Sequence, residues 1–305
     1  MNAPRVGLIG MGWVGSSTAL SILHAGIASE LWLNDAKPGL AEGEALDLQH
    51  GAAFYPTCSV RAAEVEAMRE LDVVVIAAGK GGVPGQSRLD LLTDNIETVR
   101  GIASSLCDLQ GTLVVVSNPV DILTKVATEA SGLPPSRVLG TGTMLDTTRL
   151  RTMVGRELGL APRSVHAYIV GEHGDSQVPL WSRARAGAIA LRAWDGWDAS
   201  VEQRLADEAR TAAQAIIRRK GATNHAIGLV TTALLRVLLR DESRILTVSQ
   251  VQNGPYGLRD VALSLPTVVG RSGAHTVLAP TLSPDEANAL GRSAEVLRAR
   301  ANPAH

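Results

Sequence analysis

Gly10-Met11-Gly12-Trp13-Val14-Gly15 stands directly after an apolar run, Arg5 to Gly10, and opens a stretch with helical spacing. Three glycines so placed do separate jobs for a dinucleotide: Gly10 permits a tight turn, Gly12 lets backbone approach a pyrophosphate, and Gly15 lets helix pack on strand. The amino terminus of that helix then offers unpaired N–H groups to the anion. Twenty residues after Gly15, Asp35 follows the next apolar run, where a carboxylate accepts from both ribose hydroxyls and repels a 2′-phosphate. NAD is therefore favoured over NADP, with Lys37, two residues on, keeping mixed use open.

A second set of residues carries proton and carboxylate chemistry. His173 lies in a polar, glycine-flanked loop, and an imidazole exchanges protons in both directions near neutral pH. Asp146 and Arg149 are three residues apart in a helical stretch, so both side chains can face one cleft. The planar fork of Arg149 suits bidentate capture of a carboxylate, which lysine does not reproduce.

These groups need a frame. Arg5 to Gly10, Glu30 to Asn34, Leu71 to Ala78 and Thr112 to Ser117 are apolar runs of strand length, separated by stretches long enough for crossover helices. Near-continuous Val, Ile and Leu implies strands buried on both faces, hence a parallel sheet between helical layers. Helices are expected over 14–25 and 89–109 and from Pro119 onward. After about Gly142 the alternation breaks into a helix (145–158), a strand (165–170), a polar loop, two long helices around Gly221, a strand-like stretch (259–269) and a final helix (284–300). The expected fold is α/β: a Rossmann doubly wound domain over 1–142, then a mixed α+β substrate domain over 143–305.

Composition narrows the classes. The 305 residues carry 29 basic and 30 acidic side chains, a net charge of −1, with no long run of either sign. Such a balance argues against nucleic acid and anionic lipid as partners and leaves any anion to be bound locally. The sequence is 45% hydrophobic and 19% charged, as in ordinary globular chains, and no apolar run approaches the ~20 residues of a membrane span. Cys58 and Cys107 stand apart from each other and from any metal-ligand spacing, which points to no metal site and to a reducing, cytoplasmic compartment.

Five further motifs occur in order: Gly85-Gln86-Ser87-Arg88-Leu89-Asp90-Leu91, Ser117-Asn118-Pro119-Val120-Asp121, Leu145-Asp146-Thr147-Thr148-Arg149, Gly171-Glu172-His173-Gly174-Asp175-Ser176 and Leu263-Ser264-Leu265-Pro266. With the glycine fingerprint, they make the chain resemble the L-lactate/malate dehydrogenase family along nearly its whole length, and within it the bacterial lactate dehydrogenase branch. The resemblance implies hydride transfer between a nicotinamide and a 2-oxo acid. His173 would be the acid/base, Asp146 its partner, Arg149 the carboxylate anchor and Arg88 the mobile residue that polarises the carbonyl as a loop closes. Asn118 would sit at the nicotinamide ribose and the substrate. Thr223 would line the substrate pocket, and Ile227 the apolar side of the nicotinamide.

One position departs from the family. Where lactate enzymes typically carry Gln and malate enzymes Arg, six residues before Arg88, this chain has Gly82. Without Arg there, the second carboxylate of oxaloacetate would be desolvated unpaired, at a cost of several kcal/mol, so malate activity is disfavoured. Gly82 also leaves room for a 2-oxo acid larger than pyruvate; Lys80 and His225 are the nearest polar candidates to face it. Lactate dehydrogenase proper, a specialised reductase on the same frame and a non-catalytic NAD-binding scaffold are the other readings. The family further implies a homodimer or homotetramer, and Arg151 with His166 match a pair that in some bacterial members binds fructose 1,6-bisphosphate across a two-fold axis.

Overall fold

The computed structural model describes residues 3–80 and 88–301, with 88–90 described by backbone alone. The first half alternates strand and helix: β1 (Arg5–Ile9), α1 (Trp13–Ala25), β2 (Glu30–Asn34), α2 (Leu40–His50), β3 (Ser59–Ala62), β4 (Val73–Ile76), α3 (Arg88–Ser105), β5 (Thr112–Val115), α4 (Val120–Ser131) and β6 (Val138–Gly140). Neighbouring strands pair in parallel in the order β3-β2-β1-β4-β5-β6, the doubly wound arrangement. Val73 to Ile76 and Thr112 to Val115 are buried throughout, as the continuous apolar runs require. Separate clusters cover the two faces, one with Leu8, Leu31 and Val75, the other with Ile9, Val74 and Ile76.

The second half holds α5 (Met144–Leu158), the two-residue strands β7 (Val165–His166), β8 (Ile169–Val170), β9 (Val178–Pro179), β10 (Arg185–Ala186) and β11 (Ile189–Ala190), then α6 (Ala199–Lys220), α7 (His225–Arg240), β12 (Arg244–Asn253), β13 (Arg259–Gly270), β14 (Gly273–Val277) and α8 (Pro284–Ala301). The short strands form two small sheets. Asp198 caps α6 by accepting from the N–H groups of Ser200 and Val201.

The frame is less divided than the change in sequence pattern suggests. Strands β12, β13 and β14 extend the first sheet antiparallel beyond β6, joined through Ser249 opposite Gly140, to give nine strands. Helix α7 returns to pack on α1, with Gly228 so near the Ser17 carbonyl that a Cβ would meet its oxygen at 2.9 Å. The expected strand at 259–269 is present as β13; its partners β12 and β14, together with β3, β6 and α2, are additions to the sequence reading.

Candidate active site

The cofactor fingerprint forms the turn its glycines require. Gly10 has φ +97°, and a Cβ there would lie 2.4 Å from the Ala78 nitrogen. At Gly15 a Cβ would stand 1.9 Å from the Gly10 carbonyl oxygen, so helix and strand meet closely there. A Cβ on Gly12 would meet nothing within 4 Å, and α1 begins immediately after it with no side-chain cap. Open space before uncapped helix N–H groups is what an incoming pyrophosphate needs. Asp35 braces this turn: its Oδ2 accepts from Met11 N–H at 2.7 Å and its Oδ1 from Lys37 N–H at 2.8 Å.

The catalytic candidates meet at the carboxyl-terminal side of the same sheet. Asp146, in the first turn of α5, is 2% exposed. Its Oδ2 lies 2.5 Å from Nδ1 of His173, and its Oδ1 accepts from Arg149 Nη1 at 2.9 Å. Burial pushes the Asp146 carboxyl up, but the charges and hydrogen bonds of His173 and Arg149 prevail and hold it below its ordinary range. Burial of His173 disfavours its charged ring, yet Asp146, through charge and hydrogen bond, and then Asp121 outweigh that and raise it above 6.5. With Nδ1 committed to Asp146, Nε2 is the ring nitrogen left to exchange a proton.

The loop carrying His173 is held from three sides. Gly171, at φ +83°, exchanges backbone hydrogen bonds with Ser264 of β13. Ser293 of α8 accepts from Glu172 N–H at 2.8 Å. Asp121, buried in the first turn of α4, accepts from the His173 backbone N–H through Oδ2 at 2.7 Å. Burial drives the Asp121 carboxyl up to about 6, against the opposing pull of its polar neighbours, the Ser249 hydroxyl and the His173 backbone N–H.

His173, Asp121 and Asn118 line one cavity of about 550 Å³, together with residues from α3, α4 and α8. Asn95 of α3, 4% exposed, ties its wall: Nδ2 donates to the Asn118 carbonyl at 3.1 Å and Oδ1 accepts from Lys80 N–H at 2.7 Å. Arg149, held on Asp146 with its side chain 12% exposed, is not among the residues that line this cavity. Thr223 lies in the turn between α6 and α7, and Ile227 packs on the first core cluster beside the fingerprint helix; neither lines this cavity. Lys80 pairs with Asp94 at 2.9 Å, and His225 is exposed. Gly82 and the side chain of Arg88 lie outside the described residues.

Arg151 and His166 share a different patch. Arg151 Nε donates to the carbonyl of Ala167, next to His166, at 2.9 Å and its guanidinium lies over the Tyr168 ring. His166 stands opposite Arg185 on the neighbouring strand.

Asn95, Asp121, Glu172, Ser293 and Arg300 are functional-site residues beyond those expected from the sequence. Two of them, Asp121 and Glu172, sit inside recognised motifs, which was the available signal; Asn95, Ser293 and Arg300 had none.

Comparison with known proteins agrees with this geometry. Residues 4–140 match the lactate/malate dehydrogenase NAD binding domain, and residues 143–305 match the alpha/beta C-terminal domain of the same family. The chain belongs to the lactate/malate dehydrogenase family, and it is an NAD-dependent 2-hydroxyacid dehydrogenase. It is 40% identical to the L-lactate dehydrogenase of Bifidobacterium animalis subsp. lactis, over 96% of this chain and 95% of that one. It is 43% identical to the L-lactate dehydrogenase of Salinibacter ruber, with the same coverage. The ligand-bound minor L-lactate dehydrogenase from Enterococcus mundtii superposes with a TM-score of 0.97 at 38% identity, over 100% of this chain and 99% of that one.

Proposed function

We propose that the protein interconverts L-2-hydroxy acids and 2-oxo acids, with the chemistry shared between His173, Asp146, Arg149 and Arg88. The carrying observation is the single Asp146 carboxylate that holds both His173 and Arg149. Bound NAD supplies hydride acceptance, and as NADH hydride donation, at the substrate's C2. His173 gives a proton from Nε2 to the carbonyl oxygen during reduction and recovers it during oxidation, while Asp146 keeps the ring charged and aligned. Arg149 binds the substrate carboxylate through the N–H groups it does not spend on Asp146. Arg88 polarises the carbonyl, and Asn118 bonds the substrate beside the nicotinamide ribose. Thr223 lines the substrate pocket, Ile227 covers the apolar side of the nicotinamide, and Asp35 selects NAD by its ribose hydroxyls.

The substrate is a non-malate 2-oxo acid, pyruvate or larger, because Gly82 offers no cation to a second carboxylate at the loop. Residues 1–142 carry the cofactor and 143–305 the substrate groups. In the cytoplasm, the enzyme works as a homodimer or homotetramer; the two unpaired cysteines fit that compartment. Arg151 and His166, brought to one patch with Arg185, form the half-site for fructose 1,6-bisphosphate when two subunits meet. Steady-state NADH oxidation against 2-oxo acids, with and without the sugar bisphosphate, tests both readings; absent turnover rejects the first, and unchanged activity and oligomeric state reject the second.

A further inference from the structure

Arg300, in the last turn of α8, lines the same cavity as His173, yet the reaction above gives it no task. Its guanidinium Nη1 donates to Oε1 of Glu172, whose side chain is 4% exposed while that of Arg300 is 51% exposed. The other Glu172 oxygen accepts from the N–H and hydroxyl of Ser176. Among the described residues, Arg300 has no second acceptor. A guanidinium tethered through one nitrogen to a buried carboxylate keeps its remaining N–H groups able to donate. The wall around it is aliphatic: Leu92 comes from α3, Ile122 from α4, and Leu297 lies three residues before Arg300 on the same helix face.

We infer that Arg300 sets substrate choice, the cavity taking a 2-oxo acid whose aliphatic side chain ends in a carboxylate. The stem packs against Leu92, Ile122 and Leu297, and the terminal carboxylate bonds the Arg300 N–H groups that Glu172 leaves free. This inference rests on the 2-hydroxyacid dehydrogenase reading. Of the other acids in the wall, Glu172 is neutralised by Arg300 itself and by two Ser176 donors. Asp121 bonds the His173 backbone N–H through Oδ2 and has Oδ1 buried, and Asp175 is exposed, where salt screens its repulsion.

The test is a set of matched acids: 2-oxoglutarate against 2-oxopentanoate and 2-oxoadipate against 2-oxohexanoate, with pyruvate alongside, in the wild type, Arg300→Met and Arg300→Lys. The ratio of kcat/KM within a pair cancels any general weakening of the His173 loop. In the wild type at least one pair favours the dicarboxylate by about tenfold, as one charge-assisted hydrogen bond gives. In Arg300→Met that ratio falls to one or below, with Arg300→Lys between. A wild-type preference for the methyl-ended acid in both pairs overturns the inference. So does a ratio unmoved by Arg300→Met while both acids lose rate equally, since Arg300 then only braces Glu172. Turnover of pyruvate with no turnover of either dicarboxylate also overturns it but leaves the dehydrogenase reading standing, whereas no turnover of any acid rejects both.

Discussion

Nδ1 of His173 stands 2.5 Å from Oδ2 of Asp146, with the other oxygen of that carboxylate on Arg149. One buried anion thus orients the proton donor and the carboxylate anchor together. Replacing Asp146 with Asn removes the charge that holds the His173 ring above 6.5. Reduction needs the protonated ring, so its rate is high below the His173 pKa and falls above it. In Asp146→Asn that fall moves to lower pH, and kcat/KM drops by about 10²-fold or more. A pH–rate profile with the limb unmoved would contradict the pairing.

Arg149→Lys keeps the charge but loses the fork that serves Asp146 and a substrate carboxylate at once. Its main effect is expected in KM for the 2-oxo acid, with about a 10²-fold loss in kcat/KM and unchanged affinity for NADH. Titration of NADH fluorescence beside steady-state kinetics separates the two terms. Loss of NADH binding would place Arg149 elsewhere.

Gly12 and Gly15 make opposite predictions. A Cβ on Gly15 would lie 1.9 Å from the Gly10 carbonyl oxygen, so Gly15→Ala loses stability by about 1–3 kcal/mol as overpacking does. A Cβ on Gly12 meets only open space. Gly12→Ala therefore keeps its urea midpoint while NADH binding weakens by about tenfold or more, because the new methyl stands in the pyrophosphate's path. Equal NADH affinity in Gly12→Ala and wild type would move the cofactor away from this turn.

Asp121 contributes a pH dependence to stability. Its carboxyl is raised from 3.8 to about 6 in the folded chain, so folding favours the protonated form. The stabilisation is complete below about pH 4 and is lost as pH rises through 6. Asp121→Asn keeps an acceptor for the His173 N–H without ionising. Urea unfolding of this variant at a series of pH values is expected to lack the decline that the wild type shows between 4 and 6; equal slopes would contradict the assignment.

Strands β1, β4 and β5 were legible because they are buried on both faces and written as runs of Val, Ile and Leu. Strand β12 was not, although Thr247, Ser249, Gln250 and Gln252 are all buried in it. Their polar side chains make the stretch read as surface, and only the sheet extension explains their burial. Asp146, Arg149 and His173 stood in recognisable motifs, and the fold brings the three together across 27 residues of chain. Ser293 and Arg300 act on Glu172 from more than a hundred residues away, a relationship that no local spacing records.

The most direct measurement is NADH oxidation with a series of 2-oxo acids by the wild type and by His173→Asn, with NADH affinity determined for both. Turnover by the wild type, a fall of about 10²–10⁴-fold in kcat for the variant and equal NADH affinity are the expected results. Comparable kcat in the two proteins would contradict the role given to His173 and with it the mechanism built on Asp146.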